Sequence, residues 1–316
     1  TGHAVLRSRR AGRAGAVAAL GLTLTGTQAT VLTRDRPGGP WTGRARTDLV
    51  ATQPPAARLV RSPTWLDGLR AGHEGRAGSL LAGGFGQVGL RDLRVVTHAD
   101  GRPWVDPSGA VALTATSAGP GPFGTGHTSV WSLAPDTLAL AHTADLFFQR
   151  LGSTAVHGDH ATHLLRDDDT WVVATSTWGD FDPDRDDASV EVTVSTSTED
   201  LLRGVHVLPG DPLPLPTDGL TSVGVWDPHL LRTPTGWLVG YVSASRFFRF
   251  GPVLAEGPDL DSLRLRAADP ADLPEAEGVH HVDTGQQDGT DQRGERGRGG
   301  RPRQGQLQWR RAAPAQ

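Results

Sequence analysis

The stretch GDHATHLLRDDDTWVVA, residues 158–174, decides the fold because versions of it occur three times in the chain. A second copy is WDPHLLRTPTGWLVG at 226–240, and a looser copy is RDLRVVTHADGRPWV at 91–105. Each copy contains an aspartate, a short apolar strand, a polar turn and a tryptophan that opens a second strand. The aspartates stand at 92, 159 and 227, which gives steps of 67 and 68 residues.

A second landmark follows each copy at a similar interval. It reads VWSLAPDTL at 130–138, VSTSTEDLL at 194–202 and VLAEGPDLDSL at 253–263. Two landmarks in one order and at one period are not expected by chance. Repetition of strand–turn–strand units at a fixed period is typical of a β-propeller. The sequence therefore predicts an all-β chain whose blades are set around a central axis.

Composition limits the partners of such a chain. A length of 316 residues allows a full core, and a net charge of −4, from 31 basic and 35 acidic residues, gives no field that would attract nucleic acid. The chain has no cysteine, so no disulfide is expected, and cysteine usage does not indicate whether the protein works in an oxidising or a reducing compartment. No apolar run reaches the ~18 residues of a membrane span. We predict a monomer with no nucleic-acid partner and no membrane span, either secreted or cytoplasmic.

Composition also divides the chain into three segments. Residues 1–57 are expected to be a leader and linker, because basic residues at 7–10 precede a short apolar run at 16–24, the outline of an export signal. A leader without export function is the alternative. Residues 58–280 are the predicted propeller. Residues 281–316 are mostly Gln, Arg, Gly and Asp, which predicts a disordered tail, and the repeat breaks off there as if by a frame error or truncation.

The repeat places carboxylates where they can act together. In a propeller the start of each innermost strand lies at one rim of the central channel, so acidic residues there converge from different blades. Two carboxyl groups hydrolyse a glycoside when they stand ~6.5–9.5 Å apart for inversion or ~5–5.5 Å apart for retention. A third carboxylate nearby raises the pKa of the acid by repulsion between like charges.

These residues carry a resemblance to a known family. The motif DPHLLR at 227–232, the related stretches at Asp92 and Asp159, and Glu277-Gly278 resemble the five-bladed β-propeller glycoside hydrolases, with the arabinan- and xylan-cleaving family 43 nearest. The resemblance covers roughly residues 85–280 and implies a five-bladed β-propeller, incomplete at its C-terminus if the repeat ends there. It also implies that Asp92 is the base, Asp227 the modulator of the acid, and Glu277 the acid.

The sequence departs from the family pattern at two of these positions. Asp92 stands in Arg-Asp-Leu rather than Asp-Pro, and Glu277-Gly278 lacks the proline that often follows. The aspartates also have a purely structural interpretation, in which each accepts backbone N–H groups at a tight corner. That interpretation covers Asp159 as well, which has no catalytic counterpart in the family and is a candidate for substrate binding.

Three further side chains are candidates for substrate binding. His229 lies two residues after Asp227, so it shares the face of that strand and could bind a sugar hydroxyl or an ion. Trp178 and Trp226 could be platforms for sugar rings. Packing at the rim and between blades is the alternative for all three. We expect no required cofactor and assign no metal ligands. A Ca²⁺ ion bound on the channel axis is the alternative.

Two function classes remain after this reading. The first is an inverting glycoside hydrolase acting on arabinose- or xylose-containing glycans. The second is a non-catalytic carbohydrate-binding or scaffolding propeller whose aspartates are structural. A phosphorolytic or fructan-acting relative on the same scaffold is a third possibility, and fold analogy does not decide among them.

Overall fold

The computed structural model describes residues 6–8, 13–49, 89–268 and 309–311, with the short pieces 59–62, 64–65, 68–70, 72 and 78–81. Positions 122, 183, 184, 187 and 248 are excepted from the range 89–268. The described part is all-β, as the repeat predicts, with two 3₁₀ turns at Phe123–Thr125 and Trp178–Asp180. The strands are β1 (Leu6–Ser8), β2 (Ala19–Thr25), β3 (Gln28–Arg34), β4 (Thr42–Asp48), β5 (Gly89–Val95), β6 (Thr97–His98), β7 (Val111–Ala118), β8 (His127–Ala134), β9 (Ala139–Arg150), β10 (Val156–His157), β11 (His160–Asp167), β12 (Thr170–Ser176), β13 (Val192–Ser197), β14 (Gly204–Pro212), β15 (Gly224–Thr233), β16 (Gly236–Arg246), β17 (Arg249–Gly257), β18 (Arg264–Ala268) and β19 (Trp309–Arg311).

Three runs of four strands follow one another along the chain, and we name them blade I (β5-β7-β8-β9), blade II (β11-β12-β13-β14) and blade III (β15-β16-β17-β18). Blade III is a separate antiparallel sheet, whereas blades I and II are joined into one ten-stranded sheet because their last strands, β9 and β14, pair in parallel. In blades II and III the repeated stretch covers the first two strands, whereas in blade I it covers β5 and β6 and ends before β7, so Trp104 does not open a second strand as expected. The second landmark begins on the third strand of each blade, β8, β13 or β17. The first strand of blade II lies against the first strands of blades I and III. This is the organisation of propeller blades, and the expected number of five stays a prediction.

Apolar side chains fill the spaces between consecutive blades. Phe148 of blade I and Leu164 and Val173 of blade II are fully buried in one cluster. Leu165 of blade II and Val239 of blade III belong to a second cluster. Burying one such side chain contributes roughly 1.5–3 kcal/mol. The first two strands of blade II are buried on both faces, which explains why their sequence reads as a nearly continuous apolar run.

In blades II and III, the tryptophan of the repeated stretch packs against an arginine of the neighbouring strand. Arg166 is the strand partner of Trp171, and its guanidinium carbon lies 5.0 Å from the centroid of the indole. Arg232 and Trp237 repeat the pair in blade III, also at 5.0 Å. A guanidinium over an aromatic face at this distance is a cation–π contact. The Arg–turn–Trp order of the repeated stretch therefore encodes a cross-strand pair.

Part of the segment expected to be a leader and linker, residues 1–57, contains strands. Strands β2, β3 and β4 form an antiparallel sheet there, which β1 and β19 extend. The hairpin between β2 and β3 turns at Gly26, whose φ of +55° is accessible to glycine. The run around Leu20, Leu22 and Leu24 alternates with small and polar residues, so it has the period of a strand. Export remains a prediction, as does a disordered tail, which lies outside the described residues apart from β19.

Candidate active site

The first strands of the three blades share one irregularity. The pairing register shifts between Arg91 and Arg94 in β5, between His160 and His163 in β11, and between Trp226 and His229 in β15. At each shift one residue adopts a left-handed backbone, with φ of 53° at Asp92, 60° at Ala161 and 57° at Asp227. An extra residue inserted in this way is a β-bulge, a device that redirects a side chain at the rim of a sheet. Asp92, Ala161 and Asp227 are therefore equivalent positions.

This equivalence changes the alignment of the second copy. The sequence reading matched Asp159 with Asp92 and Asp227, but the bulge of blade II is at Ala161, two residues later. Blade II accordingly has a methyl group where its neighbours have a carboxylate. The side chain of Asp159 is fully buried. Its oxygens accept hydrogen bonds from Arg150 Nε at 2.9 Å, Arg150 Nη2 at 2.6 Å and Gly179 N at 2.9 Å. This placement favours the structural interpretation for Asp159.

Asp92 lies at the mouth of blade I, with a side chain that is 35% exposed. Thr116 Oγ1 donates a hydrogen bond of 2.7 Å to Asp92 Oδ2. Arg91 Nε is 3.4 Å from the same oxygen, which gives a partly exposed ion pair. The carboxylate is thus held through one oxygen and is open to solvent on part of its surface. A water molecule can reach it, as a base requires.

Asp227 lies at the equivalent position of blade III, and its side chain is 38% exposed. Its backbone N–H donates to Ser176 Oγ of blade II at 2.9 Å, which fixes the bulge. Burial raises the pKa of Asp227 to about 6, and the negative charge of Asp92 adds to that rise. Arg94, 3.6 Å from Asp227 Oδ1, opposes it. The two carboxylates therefore lie near enough for the charge of one to act on the pKa of the other.

The raised pKa of Asp227 makes stability depend on pH. Between its unfolded pKa of 3.8 and its folded pKa of about 6, the native state holds a proton that the unfolded state has released. The stability that this proton provides is lost as pH rises through 6. We therefore expect the free energy of unfolding of Asp227→Asn, relative to that of wild type, to increase by up to about 1 kcal/mol between pH 4 and pH 7. The figure is modest because solvent screens a partly exposed group. Urea unfolding of both proteins at the two pH values measures this, and a gain in the opposite direction would contradict it.

Two histidines and an arginine lie together beside Asp227. The rings of His163 and His229 have centroids 4.0 Å apart. His163 Nδ1 accepts from Leu230 N at 3.1 Å, so its proton is on Nε2, 3.3 Å from Thr97 Oγ1. Burial, followed by the charge of Arg94, lowers the pKa of His229. For His163, burial is again the largest cause of a lowered pKa, so both rings are neutral at pH 7.

The surroundings of these rings do not fit a Ca²⁺ ion. Calcium takes six to eight oxygen ligands, whereas this group contains a guanidinium and two imidazoles. Both nitrogens of His163 already have hydrogen-bond partners. Among the described residues, no group of three or more His, Asp or Glu side chains is arranged to hold a metal ion. Although neighbouring groups partly enclose the ring of His229, the residue as a whole is exposed to solvent, so it remains available for a sugar hydroxyl.

Trp178 and Trp226 lie in contact, with ring centroids 5.3 Å apart, and are 6% and 4% exposed. They belong to one aromatic cluster with Phe123, Phe181 and Phe247. Little of either indole face is therefore free, which favours packing over a role as a sugar platform. Their use as substrate-binding residues remains a prediction. Glu277, the expected acid, lies outside the described residues.

The sequence reading did not single out three residues that shape this site. Arg94 was missed although it stands two positions after the bulge, where the other copies have His163 and His229. Thr116 and Ser176 lie on second strands, and their hydroxyls bond to groups of other strands at the bulges. Nothing in the local sequence distinguishes them from other strand residues.

In the described part of the chain, no helix has the length and apolar character needed to cross a membrane. No protein-family model and no curated protein matches the sequence.

Among solved structures, the chain is similar to the α-L-arabinanase of Penicillium chrysogenum complexed with arabinobiose, at 11% identity and a TM-score of 0.36 over 76% of this chain and 58% of that one. It is similar to the α-L-arabinanase of Cellvibrio cellulosa complexed with arabinohexaose, at 12% identity and a TM-score of 0.31 over 48% of this chain and 52% of that one. A thermostable family-43 glycoside hydrolase is 9% identical, with a TM-score of 0.33 over 83% of this chain and 78% of that one. The chain thus spans little more than half the length of the two arabinanases. The third similar structure is a member of family 43.

Proposed function

We propose that this chain is a glycoside-hydrolase-like propeller that hydrolyses arabinose- or xylose-containing glycans with inversion at the anomeric carbon. The observation that carries the proposal is the pair of carboxylates on equivalent bulges of blades I and III. Asp92 and Asp227 are each partly exposed, and burial together with the charge of Asp92 raises the pKa of Asp227 to about 6. Carboxylates with different environments at one mouth are what acid–base cleavage of a glycoside needs.

In this mechanism Asp92 accepts a proton from the attacking water, whose oxygen forms the new bond to the anomeric carbon. Glu277, assigned by the family resemblance, donates a proton to the glycosidic oxygen as the bond to the leaving sugar breaks. Asp227 keeps Glu277 protonated through like-charge repulsion. One proton is taken and one is given, so the two carboxyl groups exchange protonation states and are reset by solvent.

A specific observation favours the alternative, a non-catalytic carbohydrate-binding or scaffolding propeller. Asp92 and Asp227 both adopt a left-handed backbone, and aspartate is enriched in that conformation for its local hydrogen bonding alone. Both side chains also contact an arginine, Arg91 and Arg94 respectively. On this account the aspartates hold the bulges and do no chemistry.

Turnover of aryl arabinosides and aryl xylosides by the wild-type chain separates the two functions. The anomer released first, followed by NMR, tests inversion. The proposal expects turnover with the inverted anomer as the first product. Binding to arabinan or xylan without any turnover would support the alternative, and retention of configuration would remove the roles given to Asp92 and Glu277.

A further inference from the structure

Thr116 connects two blades at the point where Asp92 lies. Its side chain is fully buried on β7. Its Oγ1 is 2.7 Å from Asp92 Oδ2 and 3.2 Å from the backbone nitrogen of Ala161, the bulge residue of blade II. A backbone N–H only donates, so the hydroxyl oxygen must accept from Ala161, and its single proton is left for the carboxylate. The direction of both hydrogen bonds is therefore fixed.

We propose that Thr116 is a positioning residue that holds the carboxylate of Asp92 in one orientation by tying it to the bulge of blade II. The proposal rests on the hydrolysis proposed above, since orientation matters only if Asp92 acts on a water molecule. Oδ2 is taken by Thr116 and lies 3.4 Å from Arg91 Nε. Within the described part of the chain, Oδ1 receives no hydrogen bond, so the proposal assigns to it the proton of the attacking water.

The same arrangement occurs at the next seam, in a reduced form. Ser176, also fully buried, lies on the second strand of blade II and accepts a 2.9 Å hydrogen bond from the backbone N–H of Asp227. In both seams a hydroxyl of one blade holds the left-handed bulge of the following blade. Thr116 differs because its proton also reaches a carboxylate. The contact to a backbone N–H occurs at both seams, so it serves the fold. The contact to the Asp92 carboxylate is made by Thr116 and not by Ser176, and it indicates a role in function.

Thr114 provides a matched control. It lies two residues before Thr116 on β7, is 2% exposed, and donates a 2.7 Å hydrogen bond to the carbonyl oxygen of Thr162, the residue after Ala161. Its hydroxyl therefore links the same two blades at the same bulge but does not touch Asp92. Replacing either threonine with valine keeps the shape and removes one inter-blade hydroxyl.

The experiment compares Thr116→Val, Thr116→Ser and Thr114→Val with wild type in steady-state kinetics, thermal melting and crystal structures. We expect Thr116→Val to lower kcat by about 10- to 100-fold, with KM within about 3-fold, because a displaced carboxylate loses alignment while substrate contacts stay. Thr116→Ser and Thr114→Val should keep kcat within about 3-fold of wild type. Both valine variants should melt earlier by similar amounts, and only in Thr116→Val should the Asp92 carboxylate turn.

Each outcome is decisive. An equal loss of kcat in Thr114→Val and Thr116→Val, or no recovery in Thr116→Ser, would overturn the proposal. An unmoved Asp92 carboxylate in Thr116→Val would also overturn it, even if the wild-type chain hydrolyses glycosides. A wild-type chain without turnover, combined with an Asp92 carboxylate that turns in Thr116→Val alone, would end the proposed hydrolysis and keep the positioning contact.

Discussion

We expect Asp159→Ala to lower the free energy of unfolding by about 3–5 kcal/mol, the cost typical of breaking a buried ion pair from one side. The Asp159 side chain is fully buried, and Arg150, 22% exposed, binds both of its oxygens. Burial alone would lower the pKa of Arg150, but hydrogen bonds and charge from Asp159 and Asp180 outweigh it, and the net shift is upward. Without Asp159, the guanidinium loses two of its hydrogen bonds and its buried counter-charge, and the N–H of Gly179 loses its partner.

Asp180→Ala is the matched control for this result. Asp180 bonds the same guanidinium through Arg150 Nη1 at 2.8 Å, but its side chain is 38% exposed. Solvent replaces much of what an exposed partner provides, so the expected cost is below about 1 kcal/mol. Urea unfolding midpoints at unchanged m-value give both numbers. If the two variants lost the same stability, the buried pair would not have the structural role given to it here.

The position of Asp159 shows how far the sequence could be read. The period of the repeat predicts the three blades, because hydrophobic alternation and turns are local properties. It was harder to predict which residues of the three copies are equivalent. Aligning the copies on their aspartates makes Asp159 the equivalent of Asp227. The identical run HLLR at 163–166 and 229–232 gives a different offset and places Ala161 there. A bulge shifts register by one residue, and only the paired strand reveals it.

Other parts of the site could not be predicted from local sequence. Thr116 and Asp92 are 24 residues apart, and their contact depends on how β5 and β7 pair after the bulge. Arg94 reaches Asp227 across the mouth of the propeller, which no periodicity encodes. The N-terminal sheet was a different case, because its alternating pattern was present but its apolar content resembled an export segment.

We expect Asp92→Asn to lower kcat by about 10²- to 10⁴-fold, the contribution typical of a general base, with little change in KM. Asparagine adopts the left-handed backbone that position 92 requires and can still accept the hydrogen bond from Thr116. The fold should therefore be retained, so a loss of rate reports on the missing basic oxygen. The measurement is turnover of the aryl glycoside that the wild-type chain cleaves.

Asp167→Asn is the control, because Asp167 also lies on a first strand but ends β11, where it pairs with Arg232 at 3.0 Å. Its loss removes a carboxylate and a partly exposed ion pair without touching the mouth, so turnover should stay within about 2-fold of wild type. Wild-type turnover in Asp92→Asn would mean that the carboxylate serves the bulge rather than the reaction. A collapse in both variants would point to the fold as the cause, because the only property they share is a charge removed from a first strand.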